Sequence, residues 1–248
     1  MPTYNDYGII LSSTELNETD KILSIYTREN GLVRAVCKGA RKPTSKFISK
    51  ADQLSCCYFQ FAKGKNLDTV CELEQINSFP KLRNNLTCLS YGILFLDVVS
   101  SFAHEKESES NEVYDLLCSS LDKLQHGANP ELLATIFIKD FLSTHGLKPQ
   151  LETCVSCSKD VLRSRSPGVL ESKEIYPYSS ALGGLLCNKC ANLIDHKTVS
   201  KEVLSILIEP DKERYVSENL RKALELLKEH INARAKNDIK SFELVFSL

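Results

Sequence analysis

The sequence lacks every short motif by which the common enzyme classes are recognised. Its 248 residues contain no Gly-x-x-x-x-Gly-Lys phosphate loop, no Gly-x-Gly-x-x-Gly dinucleotide motif, no His-Glu-x-x-His and no Gly-x-Ser-x-Gly. Nucleotide, nicotinamide, zinc-protease and esterase chemistry are therefore without support. The five histidines are scattered, and no acidic pair stands in a recognisable catalytic setting. We expect a protein that is not an enzyme.

Long apolar runs are also missing, and we expect no secretory leader. The longest apolar run, around residues 91–102, contains Asp97 and is shorter than the roughly 20 residues that span a bilayer. The start of the chain, Met1 to Asp6, has no basic stretch followed by an apolar core, so it does not resemble a secretory signal. We therefore expect a cytoplasmic protein whose cysteines stay as thiols in a reducing environment.

Excess charge of one sign is absent from the chain as a whole but present in one segment. The net charge is −1, which predicts no global attraction to nucleic acid. Between positions 28 and 50, however, the sequence has seven basic residues and only one acidic residue, Glu29. Acidic residues gather elsewhere, notably between positions 105 and 112. Charge is therefore segregated along the chain, which indicates a local binding surface.

Four of the ten cysteines form two identically spaced pairs, Cys154-x-x-Cys157 and Cys187-x-x-Cys190. Two such pairs supply the four thiolates of a tetrahedral structural zinc site. A shell of four sulfurs leaves no position for a reactive water, so one Zn²⁺ ion is expected to hold the structure together without taking part in chemistry. The other cysteines fall mostly inside apolar patterns, where a thiol packs as a small hydrophobe.

Residues 1–80 have the pattern of a small β-barrel. Five short apolar segments, at 7–11, 22–26, 32–38, 54–61 and 67–76, are separated by polar turns. In the last of them, alternation places Leu67, Thr69, Cys71 and Leu73 on one face. One long basic connection joins the third and fourth segments. This arrangement predicts an OB-fold, and a barrel of the SH3 type fits the strand count nearly as well.

The rest of the chain is predicted to be helical. Asn84 or Asn85 can cap a helix that runs to about Phe102, and Asn129-Pro130 begins another that ends before Gly146. The fold class is therefore α+β: an OB-fold domain followed by a helical domain with an inserted four-cysteine module. We predict an OB-fold domain at 1–80 and a first helical part at 81–150. The zinc module follows at 151–195, and the closing helices occupy 196–248.

The basic connection around residues 38–47 is the second candidate site. It combines Gly39 and Pro43 with four cations and two hydroxyl residues, a composition that suits contact with a phosphate backbone. Aromatic rings near this segment could stack on bases, as in proteins that bind single strands. The candidates for stacking are Tyr26, Phe47, Tyr58, Phe59 and Phe61.

Taken in order along the chain, these segments resemble the RecO family of bacterial recombination mediators. The matching pieces are the opening strands at 8–11 and 17–23, the basic hairpin at 27–31 and 38–43, and the approach to the first cysteine pair at 142–151. Two more are the glycine-rich segment before the second pair at 183–187 and the closing residues at 229–231 with 240–242. No piece is specific alone, but their order and spacing are.

The resemblance implies a DNA repair protein that binds single- and double-stranded DNA and anneals complementary strands. It also implies that RecR and the C-terminal tail of single-strand binding protein (SSB) are partners, and that RecA is loaded at the bacterial nucleoid. Lys38, Arg41 and Lys42 would contact DNA, followed by Arg28, Arg34 and Lys46. For the SSB tail, the region 212–228 with Arg214, Arg221 and Lys222 is a candidate. Near the cysteines, Arg163, Arg165, Lys173 and Lys189 would offset the charge of the metal cluster.

Two other functions are compatible with the residues alone. The first is a zinc-stabilised enzyme acting on nucleic acid with an unfamiliar active site. The second is an adaptor that binds only proteins and uses its basic loop to contact acidic tails. DNA binding that weakens with salt would argue against the adaptor, and annealing without turnover would argue against the enzyme.

Overall fold

The structure is a computed structural model that describes residues 2–162, 175–210 and 215–248. Packing divides the chain into two compact units. The barrel unit comprises Met1–Pro130 and Ile239–Leu248, and the cysteine unit comprises Glu131–Asp238. The four divisions predicted above are based on sequence patterns, whereas these two units are based on packing. The four divisions therefore stay a prediction.

Eight strands lie in the described residues. They are β1 Thr3–Glu15, β2 Lys21–Thr27, β3 Gly31–Cys37, β4 Cys56–Ala62, β5 Asp68–Asn77, β6 Ile175–Ser179, β7 Gly184–Leu185 and β8 Lys197–Ser200. The helices in the same residues are α1 Pro80–Arg83, α2 Leu86–Phe102, α3 Ser110–Gln125, α4 Pro130–Thr144, α5 Asn188–Ala191, α6 Lys201–Ile208, α7 Ser217–Asn232 and α8 Ser241–Phe246. In the described part of the chain, none of these helices has both the length and the apolar character of a membrane span.

The first five strands close into a barrel in the order β1-β2-β3-β5-β4. All neighbours are antiparallel except β3 and β5, which pair in parallel. The long connection between β3 and β4 allows this crossover, because parallel strands cannot be joined by a tight hairpin. This topology confirms the OB-fold prediction and the α+β class.

Apolar side chains from every strand fill the barrel, among them Ile10, Leu23, Val33, Phe59 and Leu73. The predicted face of β5 is wrong in detail, because Phe61 pairs with Val70 whereas the preceding Gln60 pairs with Glu72. Cys71 is therefore the extra residue of a β-bulge, which reverses the phase of alternation. The core receives Val70 and Leu73, three residues apart, while Thr69 and Cys71 are only half-buried.

The helix boundaries follow the capping residues of the sequence. Asn85 caps α2, because its side-chain oxygen accepts a hydrogen bond of 3.0 Å from the backbone N–H of Cys88. Pro130 begins α4, where a missing N–H is tolerated, and Gly146 follows the helix end with a φ of +68°. Both boundaries confirm the predictions.

The cysteine unit contains a three-stranded sheet in the order β7-β6-β8, and α6 packs against α7. Its core includes one histidine, His230 of α7, which is fully buried. Tyr178 of β6 lies 2.6 Å from Nδ1 of this ring, and the carbonyl oxygen of Leu147 lies 2.8 Å from Nε2. A neutral ring satisfies both contacts when Nε2–H donates to the carbonyl and Nδ1 accepts from the phenol.

Burial of His230 predicts a stability that depends on pH. Burial, only partly opposed by the hydrogen bond to Leu147, lowers the pKa of His230 to about 4. The unfolded chain, with a pKa of about 6.5, then binds more protons at intermediate pH. The stabilisation by neutral His230 is complete about one pH unit above the unfolded pKa and is lost as the pH falls through 6.5 towards 4. Between pH 7.5 and 5 the free energy of unfolding should fall by about 2 kcal/mol.

The measurement is urea unfolding at both pH values for the wild type and His230→Gln. The pH dependence of the variant should be smaller by that amount. The exposed His126→Gln serves as control and should keep the wild-type dependence. Equal pH dependence in all three proteins would contradict a buried neutral His230.

Candidate metal centre and nucleic-acid interface

The two predicted cysteine pairs meet at one point in the cysteine unit. The four Sγ atoms of Cys154, Cys157, Cys187 and Cys190 all lie within 4.8 Å of one another, and those of Cys157 and Cys187 are 3.7 Å apart. Tetrahedral zinc with Zn–S bonds of about 2.3 Å requires sulfurs about 3.8 Å apart. The four thiols therefore have the chemistry and the spacing of a structural metal site.

Backbone hydrogen bonds hold the first cysteine pair in a tight knuckle. The N–H of Cys154 donates to the carbonyl of Lys159 at 2.7 Å, and the N–H of Ser158 donates back to the carbonyl of Cys154 at 2.8 Å. The N–H of Val155 donates to Leu185 of β7 at 2.9 Å. Because β7 leads directly into Cys187, this bond ties the first pair to the second. The described segments thus bring together residues that are 30 positions apart.

The backbone also favours ionised sulfur at two of the four positions. Burial opposes the ionisation of Cys154, but N–H groups of Cys187, Ser156 and Cys157 outweigh it and lower the pKa of Cys154 to about 6. The N–H of Cys190 lowers the pKa of Cys187 as well. Four thiolates so close together repel one another, so a cation is needed for all of them to ionise. A metal cation bound between the four sulfurs would offset this repulsion.

Of the cations predicted to offset the charge of this cluster, one is described. Lys189 lies in α5 between the second pair of cysteines, and its side chain lines a small cleft together with Cys187 and Lys159. The other three, Arg163, Arg165 and Lys173, lie outside the described residues.

Three of the six predicted DNA contacts are exposed cations on the barrel. Arg34 lies on the outer side of β3, Lys38 follows the end of that strand, and Lys42 lies in the connection beyond it. Among the described residues, no ion pair or hydrogen bond engages these three side chains. Arg34 and Lys38 are four positions apart at the end of β3, and both are exposed. Their charge is available to a ligand.

The other three predicted contacts are engaged with the protein itself. Arg28 pairs with Asp115 of α3 at 2.9 Å, and Arg41 pairs with Glu15 at 3.0 Å while donating to the carbonyl of Asn17 at 2.8 Å. The Nζ of Lys46 lies 5.1 Å from the ring centre of Phe47. These cations are partly neutralised or restrained, so they contribute less free charge than the first three.

The basic connection is anchored at its beginning. Asp20 accepts a hydrogen bond of 2.8 Å from the N–H of Gly39, and this bond lowers the pKa of Asp20. Gly39 has a φ of +69°, a conformation that glycine adopts without strain. Farther along, Phe47 and Ala51 are buried in the barrel core. The connection therefore has a defined path that holds Lys38 and Lys42 outside.

Sequence reasoning missed further cations next to Arg34. A surface cleft of about 120 Å³ is lined by Arg34 together with Lys63, Lys65 and Lys106. Two acids, Asp68 and Glu105, also line it, and Lys63 pairs with Asp68 at 3.6 Å. Lys65 and Lys106 are exposed, and neither has a partner in the described part of the chain. The signal that could have found Lys65 is its position in the β4–β5 turn, since that loop borders the ligand face of OB-folds.

The prediction of stacking aromatics is wrong for four of the five rings. Tyr26, Phe47, Phe59 and Phe61 are all buried. Only Tyr58 is partly accessible, and its ring lies 4.9 Å from that of Tyr7, which is 46% exposed and was not predicted. Tyr58 pairs with Glu74 on β5, so this aromatic pair borders a carboxylate. Carboxylates repel phosphate, which disfavours a phosphate contact at this aromatic pair.

Comparison with known proteins covers nearly the whole chain. Residues 1–79 match the family profile described as Recombination protein O N terminal, and residues 83–243 match Recombination protein O C terminal. DNA repair protein RecO of Dehalococcoides mccartyi is 31% identical over 212 residues, which cover 86% of this chain and 77% of that protein. DNA repair protein RecO of Pelotomaculum thermopropionicum is 29% identical over 251 residues, which cover 98% and 93%.

Proposed function

Because this chain belongs to the RecO family of DNA repair proteins, we propose that it is a non-enzymatic recombination mediator. In this role it binds single- and double-stranded DNA, anneals complementary strands and, with RecR, helps RecA replace SSB on single strands at the nucleoid. The observation that carries the proposal is the group of unpaired cations Arg34, Lys38 and Lys42 on one strand and the loop that follows it.

These cations would act as the primary phosphate contacts. Arg34 offers a planar fork for phosphate oxygens, whereas the two lysines offer mobile point charges. Lys65 and Lys106 extend the same surface through the cleft beside Arg34. Arg28, Arg41 and Lys46 would contribute after rearrangement of their present contacts. Such contacts are insensitive to base sequence, which suits a protein that acts on any DNA.

Annealing follows from the same contacts. Two single strands repel each other through their phosphates, and a surface that neutralises phosphate lowers this barrier. The buried positions of Tyr26, Phe47, Phe59 and Phe61 mean that these rings do not compete for the bases. The base edges of a bound strand would therefore remain free to pair with a complement.

The metal in this proposal is a single structural Zn²⁺ ion bound by Cys154, Cys157, Cys187 and Cys190. Four sulfur ligands fill its coordination shell, so it supplies folding energy and no catalysis. The closed geometry and the backbone bonds between the two knuckles support this role.

For the SSB tail, an acidic peptide with an apolar end, we propose a cleft in the cysteine unit. The cleft has a volume of about 320 Å³ and apolar walls that include Val199, Val203 and Leu226. Lys222, one of the predicted residues, lines it and pairs with Glu218. Arg214 lies outside the described residues, and Arg221 does not line the cleft. The apolar walls would supply most of the affinity.

The test of the proposed function is the salt dependence of binding to a fluorescent single strand. Five available cations predict a slope of log affinity against log salt of roughly −3 to −4. Complementary strands should anneal faster in the presence of the protein, without nucleotide, and be recovered at their original length. Absence of binding would favour the protein-only adaptor, and shortened strands would favour the enzyme.

A further inference from the structure

A second group of cysteines lies in the barrel unit, away from the metal cluster in sequence. Cys56 is the first residue of β4, and its Sγ lies 3.2 Å from the hydroxyl oxygen of Tyr114 on α3. Cys118 follows Tyr114 by four residues, which places both on the same side of that helix. The thiols of Cys56 and Cys118 lie close enough to influence each other's ionisation. Two cysteines 62 positions apart thus meet where the helix packs on the barrel.

The contacts around Cys56 favour its ionised form. Interaction with the Cys118 thiol, joined by the hydrogen bond from Tyr114, outweighs burial and lowers the pKa of Cys56 to about 7. Burial raises the pKa of Tyr114, so its hydroxyl stays protonated and donates. The next residue, Cys57, points into the barrel core, where burial raises its pKa to about 12. Neighbouring residues of one strand therefore differ sharply in reactivity.

We propose that Cys56 and Cys118 are an oxidation site at which hydrogen peroxide closes a disulfide between β4 and α3. The Cys56 thiolate attacks one oxygen of the peroxide, which forms an S–O bond, breaks the O–O bond and releases hydroxide. The Cys118 sulfur then attacks the resulting sulfenic acid and forms the S–S bond. The sulfenic oxygen leaves with two protons as water, so peroxide is reduced and the two sulfurs are oxidised by two electrons.

The proposal rests on the arrangement of two thiols and a phenol, a pattern that suits a nucleophilic and a resolving cysteine. Cys56 is only 6% exposed and Cys118 is half-buried. This degree of burial admits a small oxidant but disfavours a bulky thiol such as glutathione. Once formed, the bond would fix α3 on the barrel at the helix that also supplies Asp115 to Arg28. The proposed oxidation site does not depend on the proposed DNA-binding role.

The experiment treats the full chain, loaded with zinc, with hydrogen peroxide and maps disulfides by mass spectrometry without prior reduction. The expected product is a peptide pair joined through Cys56 and Cys118, lighter by two hydrogen atoms and reversed by a thiol reductant. The unfolding midpoint of the oxidised protein should rise by about 5 °C, because the link restricts the unfolded chain.

Three variants test the assigned roles. Cys118→Ser should leave a sulfenic acid on Cys56 that dimedone captures, and Tyr114→Phe should slow the oxidation about threefold or more at pH 7. Cys57→Ala, the control, should form the link at the wild-type rate. A link through Cys57, over-oxidation of Cys56 without a link in the wild type, or no reaction at peroxide levels that leave zinc bound would each overturn the proposal.

Discussion

Replacement of Cys187 with serine is expected to abolish metal binding and to unfold the part of the cysteine unit around β6, β7 and β8. Cys187 joins β7 to α5, and β7 also holds the first cysteine knuckle through Val155. Structural zinc contributes about 10–16 kcal/mol to small modules, which is comparable with the 5–15 kcal/mol that stabilises a whole domain. The loss of one of four ligands therefore removes a large share of the local stability.

The measurement combines metal content with limited proteolysis. Zinc should fall from about one ion per chain to near zero, because the loss of one thiolate opens the coordination shell and weakens metal binding, and cleavage should appear between residues 150 and 200. Cys88→Ser, a change at a half-buried cysteine of α2, is the matched control and should keep both zinc and resistance. A Cys187→Ser protein that retains zinc, or loses it without added cleavage, would contradict the structural role.

Charge reversal at Arg34, Lys38 and Lys42 together is expected to weaken binding to single-stranded DNA by about 100-fold, or about 2.7 kcal/mol. These three side chains are exposed and form no ion pair or hydrogen bond in the described residues, so glutamate breaks no hydrogen bond of the folded state, although Lys38 has a favourable charge interaction with Asp20. Arg41 is left unchanged because its bonds to Glu15 and Asn17 also hold the loop. The slope of log affinity against log salt should become shallower by about 2.

The matched control is reversal of three other exposed lysines, Lys81, Lys123 and Lys148, which changes the net charge equally. Its affinity should fall less than about threefold, since long-range charge alone is screened beyond about 10 Å at 0.1 M salt. Similar losses in both triple variants would mean that net charge, and no particular surface of the barrel, attracts DNA. Circular dichroism of each variant verifies the fold.

The candidate metal ligands were predictable because the sequence signal that identifies them is local. The two-residue spacing within each pair sets the direction of both sulfurs, and four cysteines complete a shell whatever lies between the pairs. The capping residues Asn85 and Pro130 were predictable for the same reason, since a cap acts on the next turn of its own helix.

Only some of the cations of the basic surface could be predicted from the sequence. Lys38 and Lys42 stood out because they belong to one basic segment. Lys63, Lys65 and Lys106 reach the cleft of Arg34 through the parallel pairing of β3 with β5 and through the bond from the N–H of Lys106 to the carbonyl of Asn30. The ion pairs that engage Arg28 and Arg41 were equally hidden, because their partners depend on tertiary packing.

The errors over aromatic rings and over β5 have one physical origin. Strand alternation tells which residues share a face but not which face is inside, and a bulge such as that at Cys71 reverses the phase. Tyr26 shows a further limit: its hydroxyl donates to Glu107 at 2.6 Å, so an outward position is covered by a distant segment. Such errors do not affect the prediction that a loop is basic, but they do affect the prediction of whether an aromatic side chain faces solvent.

The pairing of α8 with α2 bears on the order of events during synthesis on the ribosome. Phe242 and Val245 of α8 are buried, and α8 packs on a helix that begins some 150 residues earlier in the chain. The barrel can close as soon as β5 has emerged, but the part of α2 that α8 covers must wait for residues 239–248. The apolar surface of the nascent helix thus stays exposed while the roughly 140 intervening residues are translated, which takes about 7–28 s. A chaperone that covers α2 during this interval would protect the unfinished chain from aggregation.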